Sequence, residues 1–250
     1  MTSADGPVFC GDEELGYLAS RTRFSKGKGF TMDEAYRLAH LPLVAPDHPR
    51  VVARRAGSPY EMGRHGPVVS LVLPIASDDV LASENYRTLE ADLKQSPFAH
   101  KIAWPIVEQR REKLHATICG ALEALPGLAA DCREALAGLG PLFVELRGLF
   151  SGNVNRGRLY LRVYPEKRRG VDVLRQIQRL MGRRETGLYV VGLYNLVDDL
   201  DAGEAAELAW LIEAWWDRPI LRCRVDRLWL LSSRDDLALD SEILETIDLG

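Results

Sequence analysis

The chain has 250 residues, 46% hydrophobic and 27% charged, with a net charge of −4. That is long enough for one large globular domain or two small ones. No apolar run approaches the ~20 residues that cross a bilayer, and the N-terminus lacks the basic start and apolar stretch of a leader, so a cytoplasmic protein without membrane contact is expected. The negative balance argues against a general nucleic-acid coat, and any anionic partner must be met by a local cluster of cations.

Residues 1–66 are rich in Gly, Pro and Arg and poor in strand signals. Thr31-Met32-Asp33-Glu34 has a capping-box pattern, and Ala35, Leu38 and Ala39 continue it at helical spacing. Pro46, Pro49, Gly57, Pro59, Gly63 and Gly66 then interrupt the chain so often that 1–66 reads as a loop-rich helical extension packed on a main domain of residues 67–250. From Pro67 the pattern is regular. Val68–Leu73 reads as a buried strand, Tyr86, Leu89 and Leu93 as one face of a helix, and Leu114–Gly120 as a second strand. Leu128, Cys132, Ala135 and Leu136 mark the next helix. Leu142–Leu149 and Arg158–Tyr164 read as strands joined by a Gly- and Asn-rich hairpin loop. Val173, Ile177, Leu180 and Met181 form a helical stripe, Leu188–Tyr194 a strand, and Leu208, Leu211, Ile212 and Trp215 an amphipathic helix. Leu221–Leu231 reads as one long strand and Ile243–Leu249 as a last one. The order predicts an α+β fold, with strand–helix–strand segments recurring in two halves.

Cys10, Cys119, Cys132 and Cys223 form no C-x-x-C pair, so no zinc knuckle or dithiol site is spelled out. Phosphate-loop, zinc-helix and nucleophile-turn signatures are absent. Ser25-Lys26-Gly27-Lys28-Gly29 lacks the strand and helix that would orient an anion, and reads as a loop. Lys113-Leu114-His115-Ala116-Thr117-Ile118-Cys119-Gly120 is more informative, because alternation puts His115 and Thr117 on one strand face. An imidazole beside a hydroxyl can bind and protonate a phosphate oxygen. A histidine at a sheet surface with a satisfied hydrogen bond is the plainer alternative.

The run KLHATICG, followed by PLFVELRGLFSGN, GRLYLRVYP and VDRLWLLSS with helices between, resembles the two-histidine phosphoesterases, which include the bacterial RNA 2′,3′-cyclic phosphodiesterases. The likeness covers about residues 67–250 by order of elements, with motif identity confined to His115-x-Thr117. It implies duplicated halves forming antiparallel sheets around a central groove, helices on the outer faces, and acid–base attack on a phosphodiester with no metal or cofactor. It also implies a phosphorylated small molecule or RNA end as partner. The second His-x-Thr or His-x-Ser motif of that family falls by spacing in Gly187–Asn195, where Leu188 and Val190 hold its two positions and neither can move a proton. Tyr194, by parity, and His100 are the replacement candidates.

Parity extends the groove. Glu145 and Arg147 share one strand face; Arg158, Tyr160, Arg162 and Tyr164 share another; Arg222, Arg224 and Asp226 a third. If helices cover the aliphatic face, the Arg- and Tyr-rich one is open. Arginine would fork onto phosphate, and tyrosine would stack on a base or ribose. The candidate site is therefore His115 and Thr117 for catalysis, with Arg147, Tyr160, Arg162, Tyr164, Tyr194, Arg222 and Arg224 for the ligand. An open sheet face also needs charge merely for solubility. A non-catalytic ligand- or protein-binding descendant and a plain scaffold are the alternatives.

Overall fold

The computed structural model describes residues 6–122 and 128–250. It is an α+β fold with nine α-helices among the described residues and an eight-stranded, wholly antiparallel sheet curled into a half-barrel. In chain order the elements are α1 (Tyr17–Ser20), α2 (Glu34–Ala39), α3 (Leu41–Val44), β1 (Arg64–Pro74), α4 (Ser77–Ala82), α5 (Glu84–Gln95), α6 (Trp104–Gln109) and β2 (His115–Leu122). There follow α7 (Ala130–Ala137), β3 (Leu142–Ser151), β4 (Arg158–Pro165), a two-residue pair β5 (Lys167–Arg168) and β6 (Val171–Asp172), and α8 (Val173–Leu180). The chain ends with β7 (Val190–Asn195), α9 (Ala202–Trp215), β8 (Pro219–Val225), β9 (Arg227–Asp235) and β10 (Ser241–Asp248). No helix among the described residues is long and apolar enough to cross a membrane.

The strand order is β10-β9-β1-β2-β7-β4-β3-β8. Four strands on each side meet at β2 and β7 through a single residue pair, Ala116 with Val191. The expected strand over 221–231 is two strands. Asp226 alone separates β8, at one edge, from β9, six places away in the sheet. In a flat sheet six inter-strand steps span about 29 Å, whereas one linking residue reaches only about 7 Å. The curl removes that conflict by bringing the ends of β8 and β9 together.

Local chemistry sets the helices. Asp33, rather than Thr31, caps α2, its carboxylate accepting from the Tyr36 N–H at 2.9 Å. Ser83 caps α5 in the same way, and Tyr86, Leu89 and Leu93 are all buried by it. Asp201 and Glu204 form a reciprocal capping box at α9, satisfying donors that the first turn leaves free. Leu208, Leu211, Ile212 and Trp215 then bury the core face, each such side chain contributing roughly 1.5–3 kcal/mol relative to exposure.

Residues 6–66 reach into the same core. Cys10, Leu15, Tyr17 and Phe30 pack in the main apolar cluster. The Tyr17 hydroxyl lies 2.6 Å from the Val163 carbonyl and 2.8 Å from that of Tyr189. Phe30 bridges Leu200 through backbone hydrogen bonds. Gly157, in the β3–β4 loop at φ 130°, leaves room for the Tyr36 ring, which a Cβ there would strike.

Candidate functional site

His115 opens β2, with β1 on one side and β7 on the other. Its Nδ1 lies 2.6 Å from the Lys113 carbonyl oxygen, which selects the Nδ1–H tautomer and leaves Nε2 with a free lone pair. Burial pushes its pKa down to about 4, against the raising effect of the Lys113 bond, and Arg110 and Arg158 push the same way. At neutral pH the ring is uncharged and Nε2 is a base. Thr117, exposed, follows two residues on along the strand.

Both residues line a cleft of about 560 Å³ that also holds Tyr60, His65, Arg158 and Asp236. An adjoining recess of about 160 Å³ shares His115, Thr117, Arg158 and Asp236, and adds Arg110, Tyr160, Leu188, Val190 and Gly192. Gly192 is needed here because the Arg158 guanidinium lies where its Cβ would stand. Arg158 Nη1 donates to the Asp236 carbonyl at 2.8 Å, and Nε and Nη2 find no acceptor among the described residues. Arg110 is buried beneath, donating from Nη1 to the Gly192 carbonyl at 2.8 Å and from Nε to that of Leu237. Burial and the neighbouring Arg158 lower its pKa to about 9.

The opposite wall is the β9–β10 turn. Buried Asp235 accepts from the backbone N–H groups of Leu237, Leu239 and Asp240 at 2.8, 3.1 and 2.8 Å, closing the turn and aiming Asp236 into the cleft. The Asp236 carboxylate accepts from the Tyr60 hydroxyl, 2.9 Å from both its oxygens, and pairs with His65 Nε2 at 3.3 Å. His40 is fully buried, stacked on Tyr36, with Nε2 3.9 Å from Asp236 and neither ring nitrogen hydrogen-bonded. Burial first, then Arg158 and Arg110, hold its pKa well below the usual range, so it stays neutral.

Of the ligand residues read from strand parity, Tyr160 alone lines this site. Arg162 and Tyr164 share its sheet face but are buried: Arg162 stacks 3.7 Å from the Trp216 ring centre, and both side chains bond Asp12. Arg147 lies over Tyr164 and pairs with Glu145 at 2.6 Å. Arg222 pairs with the same Glu145 beside Phe9, and Arg224 lies beside Asp226 on another cleft. The N-terminal segment and the end of α9 occupy the face expected to be open. Tyr194 is turned away by a bulge in β7: Leu159 pairs with Tyr194 but Tyr160 with Gly192, so parity inverts, and the Tyr194 hydroxyl bonds Tyr86 instead. His100 is exposed near Glu204, away from the cleft.

The pairing of Ala116 with Val191 relates His115 to Val190 and Thr117 to Gly192 by a local two-fold. Sequence spacing gave Leu188 and Val190, two residues earlier, and neither pair carries a proton-transfer group. Sequence reading missed His65, Asp236, Arg110 and His40; Arg158 was placed on the face of Tyr160 by parity. No three His, Cys, Asp or Glu side chains among the described residues converge to hold a metal ion. The chain matches no known protein-family model and no curated protein.

Proposed function

We propose that this chain is a two-histidine-phosphoesterase-like protein that takes a phosphorylated ligand, a cyclic nucleotide phosphate or an RNA end, into the His115 cleft and acts on it without a metal. The observation that carries the reading is the restrained, neutral His115 in one concavity with Thr117 and the partly unpartnered Arg158. Arg158 offers donors to non-bridging phosphate oxygens, Thr117 offers a hydroxyl to another, and His115 Nε2 takes a proton from an attacking water. Two four-strand halves joined at Ala116 and Val191 support duplicated ancestry. The cleft is also lined by the apolar Pro59, Pro67, Val68 and Leu231, surface suited to a base or ribose.

The test is hydrolysis of uridine 2′,3′-cyclic phosphate by the wild type and by His115→Gln, with binding of uridine 3′-phosphate measured by calorimetry. Turnover that falls about 10²–10⁴-fold in the variant supports the catalytic reading. The missing acid–base group on β7 favours one alternative, a descendant that only binds. It predicts no wild-type turnover but binding that weakens in Arg158→Gln. Neither turnover nor binding would reject both.

A further inference from the structure

Resting on that reading, we propose that His65 is the proton donor to the leaving oxygen, replacing the group that β7 lacks, with Asp236 and Tyr60 as its positioning partners. His65 stands at the start of β1 and lines the same cleft as His115 and Arg158. The two histidines are restrained alike: His65 Nδ1 lies 2.6 Å from the Gly66 carbonyl oxygen, as His115 Nδ1 lies 2.6 Å from that of Lys113. In each, Nδ1 is occupied and Nε2 is the ring nitrogen left to exchange a proton, free in His115 and resting on Asp236 in His65. Their electrostatic surroundings are opposite. His115 has two guanidinium groups nearby, from Arg110 and Arg158, whereas His65 has a carboxylate oxygen 3.3 Å from Nε2. Nε2–H is thus the form that satisfies the Asp236 pair. The Tyr60 hydroxyl fixes that carboxylate, and its ring meets the imidazole edge-on at 5.2 Å. The geometry divides the roles: the His115 Nε2 lone pair is free to accept a proton, whereas His65 Nε2 faces a carboxylate that calls for a proton on it.

The step balances. Water loses a proton to His115 Nε2 as its oxygen bonds to phosphorus, the bond from phosphorus to the ribose oxygen breaks, and that oxygen takes the proton of His65 Nε2. The products are a phosphomonoester, an imidazolium at His115 and a neutral His65. Proton exchange with solvent restores both rings.

The discriminating experiment varies the leaving group. Uridine 2′,3′-cyclic phosphate expels an alkoxide that needs a proton; thymidine 3′-(4-nitrophenyl phosphate) expels nitrophenolate, which does not. His65→Gln is expected to lose about 10²–10⁴-fold in kcat on the cyclic substrate and less than about threefold on the nitrophenyl ester. His115→Gln should lose activity on both, and Asp236→Asn should follow His65→Gln with a smaller loss. Circular dichroism confirms folding of each variant, and His65→Asn gives a second substitution. Equal losses on both substrates in His65→Gln and His65→Asn, or no loss on either, would overturn the role of His65 while the function proposed above stands. A wild type inactive on both substrates would remove that function and this inference together.

Discussion

His115 carries a proton balance that can be read as stability. Its pKa is about 4 in the folded protein against an ordinary 6.5, so between those values the unfolded chain binds more protons and stability rises with pH. The contribution is complete above about pH 6.5 and is lost as pH falls toward 4, amounting to roughly 2 kcal/mol between pH 7 and pH 5. His40 is shifted the same way. Urea denaturation at both pH values should therefore show the wild type weaker at pH 5 and His115→Gln with a smaller, non-zero loss. An unchanged difference in the variant would mean that His115 is charged or solvated in the folded state. Gly192 allows a separate test of the anion site. An alanine there must displace the Arg158 guanidinium, the movable end of a long side chain. Gly192→Ala is thus expected to keep the melting temperature within a few degrees while weakening uridine 3′-phosphate binding about tenfold, the order of one charge-assisted hydrogen bond. Calorimetry reads that directly. Strand alternation sufficed to place His115 and Thr117 together, because β2 is regular there. It failed for Tyr194 because the extra residue in β7 leaves no mark on a two-residue period.

At the scale of elements, apolar periodicity located most helices and strands, because their buried faces are long and evenly spaced: Tyr86, Leu89 and Leu93 in α5, or Leu208, Leu211 and Trp215 in α9. The 221–231 run was misread for a physical reason. Residues 219–225 and 227–235 have the same strand character, and the single Asp226 between them has no glycine or proline to announce a change of partner. The β9–β10 turn was equally silent, although it builds one wall of the cleft. Its rigidity rests on Asp235, whose three backbone bonds also hold the carbonyls of Asp236 and Leu237 against Arg158 and Arg110. Asp235→Ala would free three N–H groups of this turn at once. A loss of about 1–3 kcal/mol follows, chiefly the cost of leaving the buried Leu237 N–H unsatisfied, with faster amide exchange at Leu237, Leu239 and Asp240. Protected amides at those positions in the variant would show that the turn is held by the arginines alone.

For the whole molecule, the decisive fact is where residues 6–30 lie. The arginine face of the sheet was expected to be open, and composition gave no reason to think otherwise, since 1–66 is broken by Pro and Gly and lacks a core of its own. Yet Cys10, Leu15, Tyr17 and Phe30 are buried in the common core. Asp12 also supplies the carboxylate for Arg162, accepting in addition from the Trp216 indole N–H at 2.7 Å. Arg162 has no exposed surface. Removing Asp12 alone leaves a buried cation without a counter-ion, a defect of about 3–5 kcal/mol. Deleting 1–30 adds the loss of four buried apolar side chains at roughly 1.5–3 kcal/mol each. The sum exceeds about 9 kcal/mol, comparable to the 5–15 kcal/mol of a typical domain. A chain beginning at Thr31 should therefore lack cooperative thermal unfolding and near-ultraviolet dichroism, although the cleft residues His65, His115, Arg158 and Asp236 are all still present. Asp12→Ala should fold but melt well below the wild type. Cooperative unfolding of the truncated chain near the wild-type temperature would make residues 1–30 an appendage and leave burial of Arg162 without its electrostatic explanation.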